Sequence, residues 1–149
     1  YQVAKYIPNG DANLGIAPTA SNPELAGNDW IVLRYADVLL MHVEAILAGG
    51  QQTSATAALN SFQKVRNRAG LTTPVTSITK SELLAERRVE LAFENHRFFD
   101  LVRFGVAQEV LSAFSNENGY SFNATDLLLP IPQREINLSN GVMTQNPGY

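Results

Sequence analysis

The chain has 149 residues, 45% of them hydrophobic and 17% charged, which is the balance of a folded chain with a real core rather than a disordered one. Its net charge of −3 lacks the basic footprint of a nucleic-acid binder, so no nucleic-acid partner is expected. It has no Cys, which excludes disulfides, a thiolate nucleophile and Cys-ligated metal. No apolar run reaches membrane-spanning length, since Ile31–Leu47 is interrupted by Arg34, Asp37 and Glu44. The length suggests one domain, or part of one. The start at Tyr1, without Met or signal sequence, reads as a fragment or a processed form.

Three zones follow in order: an extended or loop-like lead-in over residues 1–30, a helical core over 31–114 and a loop-rich tail over 115–149. Within the lead-in, Tyr1–Ile7 has the pattern of a short strand and Pro8-Asn9-Gly10 that of a turn. Trp30 closes the lead-in. A Trp beside a polar loop can stack on a sugar, although a core anchor is the commoner role.

Arg34–Ala48 is expected to be a helix stopped by Gly49-Gly50. Arg34, Asp37, Met41, Glu44 and Ala48 share one stripe, and nearly every other position is apolar, so the helix should be buried on most faces. His42, with no second ligand at metal spacing, reads as a hydrogen-bonded core residue. A second helix, capped by Thr53 or Ser54, runs to Ala69 and stops at Gly70. The short connection makes the two antiparallel, and small residues near the turn allow close approach, as in one tetratricopeptide-like unit. One such unit cannot bury its outer faces alone.

Thr79 and Glu82 form a capping box, with Ile78 and Leu83 as its hydrophobic staple, and predict a third helix to about Asn95 with His96 at its end. Residues Arg97–Phe104 continue it for a turn or two, Gly105 breaks it, and Val106–Phe114 forms a last short helix. Beyond lie a polar loop with Tyr120 and Phe122, an extended Leu127–Pro132, and an Asn- and Gly-rich tail ordered only if something holds it.

Glu86–Gly105 (ERRVELAFENHRFFDLVRFG) organises the rest. Acids and bases recur three apart, at Arg87 and Glu90, Glu94 and Arg97, Arg97 and Asp100, and Asp100 and Arg103, with Phe93, Phe98 and Phe99 beside them to exclude water. Two chemistries compete. Glu86, Glu90 or Glu94 could supply the carboxylate pair of a glycosidase. Alternatively Arg34, Asp37, Glu44, Arg87, Glu90, Glu94, Arg97, Asp100 and Arg103 form a structural ion network. The near match of bases to acids favours the network, because a general acid needs a raised pKa and a neighbouring Arg works against one. No nucleophile elbow, zinc-binding helix or phosphate loop is present, so no catalytic residue, metal or cofactor is assigned.

Four blocks together resemble the C-terminal part of the SusD/RagB family: LRYADVLLMHVEA at Leu33–Ala45, ALNSFQKVRNRAGL at Ala58–Leu71, Glu86–Gly105, and the ending LLLPIPQREINLSNGVMTQNPGY. The resemblance implies a mostly α fold of tetratricopeptide-like helix pairs with long loops and little strand. It also implies a non-enzymatic, cell-surface outer-membrane lipoprotein, its lipid anchor outside these residues. Such a protein captures an oligosaccharide or other nutrient and delivers it to a SusC-like TonB-dependent transporter. The alternative is a scaffold fragment that contacts the transporter while ligand binds elsewhere. No family ligand residue maps onto this chain; Trp30, Tyr120 and Phe122 are the candidates from side-chain chemistry alone.

Overall fold

A computed structural model describes residues 30–149; the expected strand at Tyr1–Ile7 and the loop after it lie outside the described residues. The fold is mostly helical, as the sequence leads one to expect. Six α-helices are accompanied by one two-residue strand pair and a short 3-10 turn among the described residues. Two compact units divide at Arg97/Phe98.

In the first unit, α1 (Tyr35–Leu47) packs against both α2 (Thr56–Arg68) and α3 (Lys80–Glu90). The shared core is Leu40, Val43 and Leu47 from α1, Ala58, Phe62 and Val65 from α2, and Ile78, Leu83 and Leu91 around α3. α1 ends when Ala48 and Gly49 both turn left-handed. α2 starts from Ala55, not from a Thr53 or Ser54 side-chain cap; Thr53 Oγ1 instead accepts from the Ala55 N–H at 3.2 Å. Thr53 is diverted because it lies in a strand. β1 (Gln52–Thr53) pairs antiparallel with β2 (Ile78–Thr79), with Gln52 opposite Thr79 and Thr53 opposite Ile78. That ladder brings the entry to α2 beside the entry to α3.

α3 begins as expected. Thr79 Oγ1 accepts from the Glu82 N–H, and the Glu82 carboxylate accepts from the Thr79 N–H at 2.8 Å. Ile78 and Leu83, the staple positions, are both fully buried. The helix ends at Glu90, about a turn short of the expected Asn95, so His96 does not sit on its C-terminus. Residues 91–95 form a turn in which Phe93 (φ 65°) and Asn95 (φ 62°) are left-handed. A bulky residue such as Phe adopts that conformation only under outside constraint.

The second unit, Phe98–Tyr149, starts within α4 (Arg97–Arg103) and continues through α5 (Ala107–Asn118), longer than the predicted Val106–Phe114. Leu101, Phe104 and Ala107 form its buried centre. A 3-10 turn at Ala124–Leu127 and a sixth helix, α6 (Gln133–Leu138), interrupt the loop-rich tail. The closing residues are held down by specific bonds. Gln145 donates from Nε2 to the Ile131 carbonyl and accepts the Ile131 N–H, and Asn146 Nδ2 donates to the Leu129 carbonyl. The extended Leu-Leu-Leu-Pro-Ile-Pro segment is thereby clipped to the Gln-Asn-Pro-Gly-Tyr ending. At Gly148 (φ +99°) a Cβ would stand 2.9 Å from Thr125 Cβ, so only Gly fits there.

Candidate functional site

The charged residues of the first unit meet across helices. Arg34, immediately before α1, is extended (φ −141°, ψ 163°), which carries its side chain toward the end of α3. Its Nη1 donates to Glu90 Oε1 at 2.6 Å, its Nε to Glu94 Oε2 at 2.8 Å, and its Nη2 to the Glu90 carbonyl. One turn into α1, Asp37 accepts from Arg87 Nη1 at 2.8 Å. On the flank of α3, Glu86 accepts from Arg66 Nη1 of α2 at 2.9 Å. Arg68 lies 3.9 Å from Glu90 but is mostly exposed. Glu44 is half-buried on the Asp37 side of α1.

In the turn after α3 Glu94 is 3% exposed, while the left-handed Phe93 faces solvent. For Arg34, burial pulls the guanidinium pKa down. The hydrogen bonds from Glu94 and Glu90 and their negative charges outweigh that, and the net displacement is upward. Arg34 is a fixed cation with two carboxylates and a carbonyl as acceptors.

This arrangement bears on carboxylate chemistry. Glu86, Glu90 and Glu94 each have a carboxylate oxygen within 2.9 Å of a guanidinium nitrogen, so none presents a free acid to a substrate. In the second unit Asp100, 2% exposed, accepts from Arg103 Nη2 at 2.8 Å, and the Arg103 guanidinium lies over the Phe104 ring. Arg97 is half-buried. The expectation that flanking aromatics seal the charges needs correction. Phe93 and Phe99 are 67% and 63% exposed, and the buried apolar residues of the stretch are Leu91, Leu101 and Phe104. His42 is likewise exposed rather than in the core, with Nδ1 2.9 Å from Ser61 Oγ.

Two surface features could meet a ligand. In the first unit a recess of about 420 Å³ is lined by Arg34, Tyr35, Leu39, Lys64, Arg68 and Glu90, among others. In the second unit the rings of Phe114 and Tyr120 stack, centroids 6.1 Å apart and planes 17° apart, with both residues exposed. The stack grows from the end of α5. Gly119 is left-handed, and both it and Tyr120 donate their N–H to the Ser115 carbonyl. That geometry brings the residue after the Gly back over the last turn of the helix. Phe114 was not singled out in the sequence, although the Gly119 stop with an aromatic on either side was the available signal. Of the sequence candidates, Tyr120 is part of this platform and Phe122 is half-buried. Trp30, in the other unit, is 53% exposed, which corrects the core-anchor reading.

Among known proteins, the SusD family model matches residues 1–149. The starch-binding protein SusD of Bacteroides thetaiotaomicron is 34% identical over 123 residues, covering 79% of this chain and 21% of that protein. A laminarin-binding SusD-like protein of known structure superimposes with a TM-score of 0.63 at 41% identity, over 79% of this chain and 23% of that one. Surface glycan-binding protein A from Bacteroides thetaiotaomicron, in complex with laminarihexaose, gives 0.69 at 33% identity, over 88% and 28%. The helical fold and the four sequence blocks therefore define a SusD-type helical protein, and the chain belongs to the SusD family. It spans between a fifth and a little over a quarter of the length of these relatives.

Proposed function

We propose that this chain is part of a non-catalytic glycan-binding protein of the outer-membrane surface, lipid-anchored outside these residues, which passes oligosaccharide to a SusC-like TonB-dependent transporter. The observation that carries this reading is the family match along the whole chain, together with the likeness to a laminarin-binding protein and to a glycan-binding protein holding laminarihexaose. The engagement of Glu86, Glu90 and Glu94 by arginines supports a binding rather than a hydrolytic role. Exposed rings at Tyr120 and Phe114 give apolar faces of the kind on which sugar C–H groups stack, and Trp30 and Phe122 are further candidates. Calorimetry of the protein with laminarin and starch oligosaccharides, followed by chromatography of the sugar, tests it. Binding with the sugar recovered intact is expected; shortened products would overturn it.

A second reading keeps the family but moves the ligand: these residues are scaffold that contacts the transporter. The ion network favours it, because its side chains are spent on holding helices together rather than facing a cleft. Sugar binding by residues 1–149 alone, weakened by Tyr120→Ala, would decide for the first reading.

A further inference from the structure

Two Asn-Gly pairs lie among the described residues, Asn118-Gly119 at the end of α5 and Asn140-Gly141 after α6. A third, Asn9-Gly10, lies outside them. The side-chain amide of an Asn before Gly is open to attack by the next backbone nitrogen, because Gly has no side chain to crowd the approach. All four residues are exposed, both glycines are left-handed (φ +72° and +85°), and a Cβ on either would meet nothing within 4 Å. Space and solvent do not distinguish the pairs, but hydrogen bonding does. Asn118 donates from Nδ2 to the Phe114 carbonyl at 2.8 Å, and the Gly119 N–H donates to the Ser115 carbonyl, so electrophile and nucleophile are both held. Asn140 (φ 52°) and Gly141 are instead the central residues of a left-handed turn. It is closed by the Val142 N–H on the Ser139 carbonyl at 3.2 Å and by the Met143 N–H on Ser139 Oγ at 3.0 Å. Both bonds bypass the pair. Among the described residues neither the Asn140 side chain nor the Gly141 N–H has a hydrogen-bond partner.

We propose that Asn140 is a self-modification site, at which the chain converts this amide to a carboxylate with water as the co-reactant. The Gly141 nitrogen gives up its proton to solvent base and bonds to Asn140 Cγ. The Cγ–Nδ2 bond breaks, and the amide nitrogen takes a proton from water and leaves as ammonia. Water then opens the cyclic imide at either carbonyl, giving aspartate or isoaspartate. Nothing is oxidised or reduced. The product carries one more negative charge than the −3 of the sequence. In the isoaspartate branch the main chain also runs one carbon longer through the turn that leads from α6 to the Gln145 clip. Each copy of the protein thereby carries a record of its age, independent of any ligand.

The test is to incubate the protein at mildly alkaline pH in heavy-oxygen water, digest it, and follow the peptides holding Asn118 and Asn140 by mass spectrometry. Asn140 should take up one solvent oxygen, as a mixture of aspartate and isoaspartate, at a rate that rises with hydroxide concentration. Asn118 should lag by about tenfold or more, because two hydrogen bonds must open before it can react. In urea-unfolded protein the two should convert at comparable rates. Equal rates in the folded protein, or Asn118 reacting first, overturn the proposal. So does a lag of Asn118 that persists in urea, since the difference would then belong to the flanking residues and not to the fold. Gly141→Ala, whose methyl crowds the attacking nitrogen but meets no other atom, should slow conversion at Asn140 sharply. An unchanged rate there would mean that this backbone nitrogen is not the nucleophile.

Discussion

Asp37 Oδ1 and Arg87 Nη1 stand 2.8 Å apart with their side chains 5% and 2% exposed, so that α1 and α3 are joined by an ion pair shut off from water. Removing one partner of such a pair takes away the counter-ion of a charge that stays buried. Asp37→Ala should therefore lower stability by about 3–5 kcal/mol. Arg68→Ala, which removes a 3.9 Å contact from a mostly exposed side chain, should cost about 0–1 kcal/mol. Urea denaturation of the two variants beside the parent gives the comparison; equal midpoints would mean the buried pair contributes nothing.

Asp100→Ala tests the second unit. Asp100 is sealed, but the side chain of its partner Arg103 is 45% exposed and regains water when the carboxylate goes. The expected loss is about 3 kcal/mol, the low end of the buried-pair range. Denaturant unfolding followed by hydrogen exchange at amides of α5, in the same unit, reads it. A midpoint unchanged from the parent would make this charge a solvated one.

Thr79→Ala removes the α3 cap and should cost about 1 kcal/mol near neutral pH. It should also change the acid limb. Hydrogen bonds from Thr79 hold the Glu82 carboxyl below its ordinary value of 4.5. A carboxyl depressed in the folded state adds stability that is complete above the unfolded pKa and fades as pH falls through the lower folded one. Between pH 5 and 2 the parent should therefore lose stability more steeply than Thr79→Ala, as thermal melts across that range would record.

Gly148→Ala should free the chain end. The added methyl meets Thr125 at 2.9 Å, and φ +99° is strained for Ala, so the clip made by Gln145 and Asn146 loses its seat. Hydrogen exchange at Ile131 should rise sharply while amides of α1 keep their protection. Unchanged exchange at Ile131 would show that the clip holds without Gly148.

How much of this was legible in the sequence depended on range. The α3 cap was readable because Thr79 and Glu82 decide it between themselves, three residues apart. The helix pair was readable from its apolar periodicity and its Gly stops. The end of α3 was not, because nothing in the local pattern marks the left-handed Phe93 and Asn95 that follow it, and Glu94 between them is held by Arg34, 60 residues away. The strand pair was invisible because two residues per strand carry no alternation to detect. The aromatic platform was half visible: Tyr120 was named, whereas its partner Phe114 depended on the path of the chain over Gly119. α1 was expected to be buried on most faces because it is apolar on most faces, and that was wrong: Tyr35, Val38 and Met41 are exposed.

The distances in sequence spanned by the ion network carry a consequence for how fast the protein folds and unfolds. Arg34 reaches Glu90 and Glu94 across 56 and 60 residues, and Arg87 reaches Asp37 across 50. Closing loops of that size is entropically costly, so local turns and the α1–α2 hairpin should assemble before these pairs form. Interactions absent from the transition state act on escape from the native state rather than on its formation. Breaking the network should leave the refolding rate nearly unchanged and accelerate unfolding, which makes these arginines and carboxylates a latch on the lifetime of the folded chain.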